Sequence, residues 1–249
     1  MKDYREFLKA DYWEEIDWDA TDQSKGVEAA PLQKEYPKDV KLIDLIPRDE
    51  LKIEPISLFD AIKQRKSYRK YTEESLTMDE LSFLLWATQG INKASDRWPV
   101  ATRTVPSGGC LHPFETYLVV NRVSGLEPGI YRYLPLEHKL YLIKKGDFGE
   151  EAGYASLKQS FVGKGAVVFA WSVRPYRTEW RYEKLSPKII AQDSGHLCQN
   201  LYLACEAIGA GTCAIGAYSQ KQWDGLIELD GKDEFIVYVA PVGKVEKKS

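Results

Sequence analysis

Between residues 115 and 173 the chain carries four short runs, ETYLVVNR, GIYRYLP, KLYLIKK and AVVFAWSV, each rich in β-branched or aromatic residues and bounded by Gly, Pro or charge. Such runs read as strands. One polar stretch near 147–160 interrupts them as a possible helix, and the long helical segment comes only after the last run. That irregular order lacks the even strand–helix rhythm of a doubly wound sheet, so the expectation is an α+β fold.

Helices bracket this block. Ser57 opens one through the cap SLFD, and it runs to the basic cluster RKSYRKY at 65–71. Thr77 opens another through the capping box TMDE, places Leu81, Leu84, Leu85 and Thr88 on one face, and stops at Gly90. The longest is expected from Asp193 to Ile208, with Leu197, Leu201, Ala204 and Ile208 in one stripe and Gly209 closing it. Its other sides carry Gly195, Cys198, Tyr202 and Cys205, too little charge for a solvated face, which suggests a helix covered on more than one side. A strand AIGAY, a short helix after Ser219 and a strand EFIVYVAPVG complete the chain. Residues 1–55, rich in charge, aromatics and proline, read as an extended N-terminal arm with little regular structure, and 56–249 as the domain it serves.

A chain of 249 residues, 44% of them hydrophobic, has material for a sizeable core. Its net charge is −3 and its Lys and Arg residues are dispersed, which excludes a basic face for nucleic acid or an anionic membrane. The acidic start MKDYREFLKADYWEEIDWDA does not read as a secretory signal, and no run has bilayer length, so a cytoplasmic protein is expected. Cys110, Cys198, Cys205 and Cys213 form no CxxC pair, and His112, His138 and His196 lack ligand spacing; no metal site is expected.

Three stretches carry candidate chemistry. In RKSYRKY, the cations Arg65, Lys66 and Arg69 and the hydroxyl of Ser67 suit a phosphate, although a solvated basic helix terminus has the same composition. In VPSGGC, residues 105–110, glycines would let main chain approach a flat ligand, or would simply feed a strand. In GAGTCAIGAY, residues 209–218, a GxG follows a helix and enters a strand, the reverse of a dinucleotide phosphate loop, and no GxxxxGK[ST] occurs anywhere. One ligand with an anionic tail and a planar, hydrogen-bonding head would satisfy all three, and flavin mononucleotide (FMN) has that shape.

RKSYRKY, PSGGCLHP before a strand, DSGHLCQNLYLACEAIGAGTCAIGAY and a closing PVGK, in that order, resemble the nitroreductase-like flavoprotein superfamily across about residues 56–245, and within it the SagB-type dehydrogenase branch. The resemblance implies a central, mostly antiparallel sheet flanked by helices in an intertwined homodimer, with FMN at the subunit interface and NADH or NADPH as electron donor to a small-molecule acceptor. It assigns Arg65, Ser67 and Arg69, with Lys66 between, to the phosphate. Pro106, Ser107, Gly108, Gly109 and Cys110 would come from the second subunit to the ring and ribityl chain. Cys213, Ala214, Ile215 and Gly216 match the segment at the N5 edge, and Lys244 a basic residue reaching the phosphate. In the azoline-oxidising members a Lys-Tyr pair carries proton transfer; here the pair is Arg181 and Tyr182, and a guanidinium stays charged and is no general base. A peptide substrate is thereby open. A non-catalytic flavin-binding or structural dimer, and a flavin-cleaving or dehalogenating relative, stand as alternatives.

Overall fold

The computed structural model describes residues 5–94 and 101–246, so residues 1–4, 95–100 and 247–249 lie outside the described residues. In chain order the elements are α1 (Tyr12–Glu15), β1 (Leu42–Asp44), α2 (Leu58–Gln64), α3 (Met78–Gln89), β2 (Ile91–Ala94), β3 (Ala101–Arg103), β4 (Phe114–Val120), β5 (Gly129–Leu134) and β6 (Lys139–Lys145). They continue with α4 (Gly149–Ala155), α5 (Ser160–Gly163), β7 (Val167–Val173), α6 (Tyr176–Tyr182), α7 (Ser186–Ala207), β8 (Ala210–Thr212), α8 (Gln220–Ile227) and β9 (Phe235–Lys244).

Local chemistry accounts for the helix starts. Ser57 Oγ accepts from the Asp60 N–H, and at α3 the Thr77 and Glu80 side chains each accept from the other's backbone N–H, a complete capping box. Gly90 ends α3 because a Cβ there would stand 2.4 Å from the Trp86 ring.

Seven strands form one sheet in the order β1-β6-β5-β4-β7-β9-β8, with every neighbouring pair antiparallel. The fold class is thus the α+β, mostly antiparallel one anticipated. Strands β4 and β7 are buried at every position, so both their faces must be covered. Alternation divides the work. Leu118, Phe169 and Trp171 pack with Leu81, Leu84 and Leu85 of α3 and Leu197 and Leu201 of α7. Tyr117, Val119, Val168 and Ala170 turn the other way, onto Ala152, Val162, Trp223 and Ile227 from α4, α5 and α8. Each large side chain so buried contributes about 1.5–3 kcal/mol.

The arm is fastened to this sheet by buried guanidiniums. Arg132 donates to the carbonyls of Lys34 and Glu35, Arg103 to that of Leu32, while the Lys34 N–H donates to Glu115 Oε1 at 2.7 Å. Glu115 also takes Arg132 at 2.9 Å and Arg177 at 2.5 Å, with all three side chains no more than 2% exposed. Burial pushes the Glu115 carboxyl up, but Arg177 and Arg132 outweigh that and hold it below the usual carboxylate range.

Two boundaries differ from expectation. The long helix begins at Ser186, seven residues early, because Pro187 falls in its first turn, where a missing N–H costs nothing. AIGAY is not a strand: β8 ends at Thr212, Ile215 makes one isolated bridge to Val239, and the Ala214 N–H goes to a side chain instead of a ladder.

Candidate functional site

The C-terminal half of α7 gathers two of the three stretches around Tyr202. The Tyr202 hydroxyl accepts from the Ala214 N–H at 2.9 Å and shares a second hydrogen bond with Ser67 Oγ, 2.9 Å away, in which either hydroxyl can donate. Ser67 is held there as a parallel bridge partner of Thr212, reinforced by Tyr68 N–H donating to the Thr212 carbonyl at 2.9 Å. The Arg65 guanidinium stands 5.2 Å over the Tyr202 ring, Lys66 4.9 Å over Tyr68, and Arg69 6.0 Å over Phe161. Among the described residues none of these three cations is paired with a carboxylate, and all three are at least partly open to solvent. Ile215 donates to the Val239 carbonyl at 2.8 Å, Cys213 is buried, and Gly216 is exposed, with nothing within 4 Å of where a Cβ would stand.

Lys244 is placed differently from the other cations. Its ammonium ion-pairs with Glu80, the capping residue of α3, and donates to the Ile208 carbonyl at 2.6 Å. Its charge is spent within the fold, which separates it from the unpaired group of Arg65, Lys66 and Arg69.

The glycine loop sits elsewhere on α7. Ser107 Oγ donates to Asp193 Oδ2 at 2.6 Å, the Gly108 N–H to the same oxygen at 3.1 Å, and the His112 N–H closes the turn onto Ser107 Oγ at 3.0 Å. Pro106 offers its carbonyl to His196 Nδ1 at 3.3 Å. The bareness of this loop has an explanation inside the chain. A Cβ on Gly108 would stand 2.6 Å from Ile189, and one on Gly109, at φ +62°, would stand 3.0 Å from the Tyr182 hydroxyl. Cys110 (φ 57°) and His112 (φ 43°) share the left-handed backbone, so strain is concentrated here. Burial and the nearby Arg103 push the His112 imidazole down to about 3, which keeps it neutral and removes it from acid–base work near pH 7.

Tyr182 and Arg181 lie against this loop. Tyr182 is 8% exposed, in a cluster with Ile16, Leu111, Leu185 and Ile189, and the arm's Trp13 and Trp18 meet its ring edge-on at 6.0 and 6.4 Å. The Arg181 guanidinium stands 5.3 Å over the same ring. The pair therefore belongs to a packed helix end covered by residues of the N-terminal stretch.

Within one chain the expected site residues thus form two groups. Asp193 and Tyr202 are nine residues apart on α7, a rise of about 13 Å, so Pro106–Cys110 meet the helix about that far from Ser67 and Ala214. Neither Tyr202 nor Asp193 was singled out from the sequence. The available signals were a polar-tipped aromatic on an otherwise small, apolar helix side and a carboxylate at the head of an apolar-periodic segment. A cleft of about 790 Å³ between α6, the first half of α7 and β9 is lined by none of the expected residues.

The family profile described as Nitroreductase family matches residues 62–244. Protein MJ1384 of Methanocaldococcus jannaschii, which carries a nitroreductase name, is 32% identical over 192 residues, covering 77% of this chain and 93% of its own. A crystal structure of a nitroreductase-type protein from Anabaena variabilis superposes with a TM-score of 0.69 at 25% identity, over 84% of this chain and 42% of that one. The trifolitoxin-processing protein TfxB of Rhizobium leguminosarum bv. trifolii is 32% identical over 133 residues, 51% of this chain and 36% of its own. This chain therefore spans well under half the length of the last two proteins. The chain belongs to the nitroreductase family, and the coarse class that membership carries is a flavin-type oxidoreductase. The residues present suit such a cofactor: three cations without carboxylate partners for a phosphate, a serine hydroxyl beside them, and an open Gly216 in the turn that follows.

Proposed function

We propose that the protein is an FMN-dependent oxidoreductase of the SagB-type branch, which takes electrons from NADH or NADPH and passes them to a small organic acceptor. The observation that carries this reading is the group of unpaired cations Arg65, Lys66 and Arg69 around Ser67, next to the Cys213–Gly216 turn. With no carboxylate partner among the described residues, these cations are available to an anion. Arg65, Lys66, Ser67 and Arg69 would hold the phosphate, and the Gly216 backbone would face the ring, since the Ala214 and Ile215 N–H groups are taken by Tyr202 and Val239. Bound there, FMN supplies the hydride and electron transfer that no side chain at the site provides.

The site takes its second half, Pro106–Cys110, from another copy of the chain. One observation supports a homodimer. Leu58, Phe59 and Ile62 of α2, 66%, 73% and 58% exposed, form an apolar face beside α7 that a second copy would cover. A peptide acceptor is a second reading, favoured by the likeness to the trifolitoxin-processing protein. Arg181 weighs against azoline oxidation by a side-chain base, and Tyr182 is left as the proton-bearing group beside Gly109.

Purified protein should be yellow or take up FMN stoichiometrically, and anaerobic mixing with NADH or NADPH should bleach the flavin within seconds. Colourless protein that refuses FMN overturns the reading. Bound flavin that neither nucleotide bleaches favours the non-catalytic binder, and loss of intact FMN during turnover favours the flavin-cleaving relative.

A further inference from the structure

Helix α7 carries two polar side chains that point into the two halves of the site, and both are engaged with exactly those groups that a ligand would need held still. Asp193 is a carboxylate only 4% exposed in mid-helix, where it does nothing for the helix itself, and the His196 imidazole lies 3.8 Å away. Such a group is costly unless donors satisfy it. The donors it has are the Ser107 hydroxyl and the Gly108 N–H, two successive residues of a loop strained at Cys110 and His112. Tyr202 is the counterpart nine residues on. Its hydroxyl joins Ser67 to the Ala214 N–H, and its ring underlies Arg65.

We propose that Asp193 and Tyr202 are positioning residues: Tyr202 fixes Ser67 and Arg65 at the phosphate end of its own protomer's site, and Asp193 fixes Ser107–Gly108 for the ring end of the partner's. This rests on the flavin reading above. One rigid helix then sets the geometry of both ends, and neither residue needs to touch the ligand. The two roles separate by ligand. FMN and riboflavin share a ring and differ by the phosphate, so Tyr202 governs the difference between them and Asp193 governs what they have in common.

The test uses full-length, flavin-stripped protein titrated with FMN and with riboflavin, followed by flavin fluorescence and absorption, for wild type, Tyr202→Phe and Asp193→Asn. Asparagine keeps the shape of the side chain but removes its charge and one of its two acceptor oxygens, so the Ser107 and Gly108 donors are left with weaker, neutral hydrogen bonds to a single oxygen. Tyr202→Phe should weaken FMN by about 5- to 10-fold, the loss of one hydrogen-bonded hydroxyl, and leave riboflavin within about twofold. Asp193→Asn should weaken both ligands alike, shift the visible flavin band, and speed amide exchange at residues 105–112 in the flavin-free protein. Where Asp193→Asn unfolds, Ser107→Ala removes the same contact from the loop side and should show the same exchange and spectral change. Wild type that binds neither ligand overturns the flavin reading. Wild type that binds, with both variants indistinguishable from it, overturns the positioning roles alone; so does a Tyr202→Phe protein that loses riboflavin as much as FMN, or loop exchange unchanged in Asp193→Asn.

Discussion

Arg132 and Arg177 close on a single carboxylate, Glu115, with every partner buried; Arg65, Lys66 and Arg69 lie over aromatic rings, open to solvent and without a carboxylate among the described residues. Both groups are clusters of positive charge, and composition alone does not tell them apart. Surroundings do. Removing a guanidinium from water costs several kcal/mol, so a buried one must find acceptors where it sits: Arg132 and Arg177 find a carboxylate, Arg103 the neutral oxygens of Gln89 and Leu32. The first cluster therefore serves the fold, and it spends its remaining donors on the carbonyls of Lys34 and Glu35 in the arm. The second has no such obligation, and its hydrogen-bonding capacity is available to a ligand. Lys244 marks the boundary between the two: it stands near the open cluster in sequence logic but is paired with Glu80 like a structural cation.

The largest effect that this contrast predicts is at Glu115. Glu115→Ala strands two buried guanidiniums and the Lys34 N–H, and should cost about 3–5 kcal/mol in chemical denaturation. A loss below about 1 kcal/mol would place the cluster with the exposed one and erase the distinction. Acid should produce part of the same effect. Because Arg177 and Arg132 hold the Glu115 carboxyl below its ordinary value of 4.5, its contribution is fully present above that value and disappears as pH falls through the depressed folded-state value. Asp193 works with the opposite sign, since burial raises its carboxyl, so protonating it favours the folded state. Melting temperature followed from pH 6 down to 3 should therefore fall in wild type and fall less in Glu115→Gln; parallel curves would remove Glu115 from the acid response.

Much of the fold was legible because its signals are local. Thr77 and Glu80 are three residues apart, and the alternation that sends Tyr117 and Leu118 to opposite faces of the sheet is a property of successive residues. The start of α7 was misplaced for a local reason too, since Pro187 suits a helix's first turn as well as a loop. The site was legible only in its pieces. Arg65, Ser67 and Gly216 could be marked, but Tyr202 meets Ser67 across 135 residues and Asp193 meets Ser107 across 86, contacts that depend on how α7 lies against the rest. The arm shows the same limit: nothing in APLQKEYP states that its carbonyls will receive Arg103 and Arg132, because those donors lie on strands far along the chain.

The smallest expected effect on stability sharpens the comparison from its other side. Arg65 caps α2 with its backbone and lays its guanidinium over Tyr202, an exposed cation–π contact of about 0.5–1 kcal/mol, so Arg65→Ala should leave the denaturation midpoint nearly where it was. Its consequence belongs to ligand binding instead. Loss of one charge-assisted contact to a phosphate should weaken FMN by about 2 kcal/mol, roughly 30-fold, while riboflavin, which has no phosphate, should bind as before. A destabilisation approaching that of Glu115→Ala would show that Arg65 serves the fold after all. Unaltered FMN affinity together with unaltered stability would show that this cluster is only the solvated end of a helix, and the phosphate would then have to be sought among other cations.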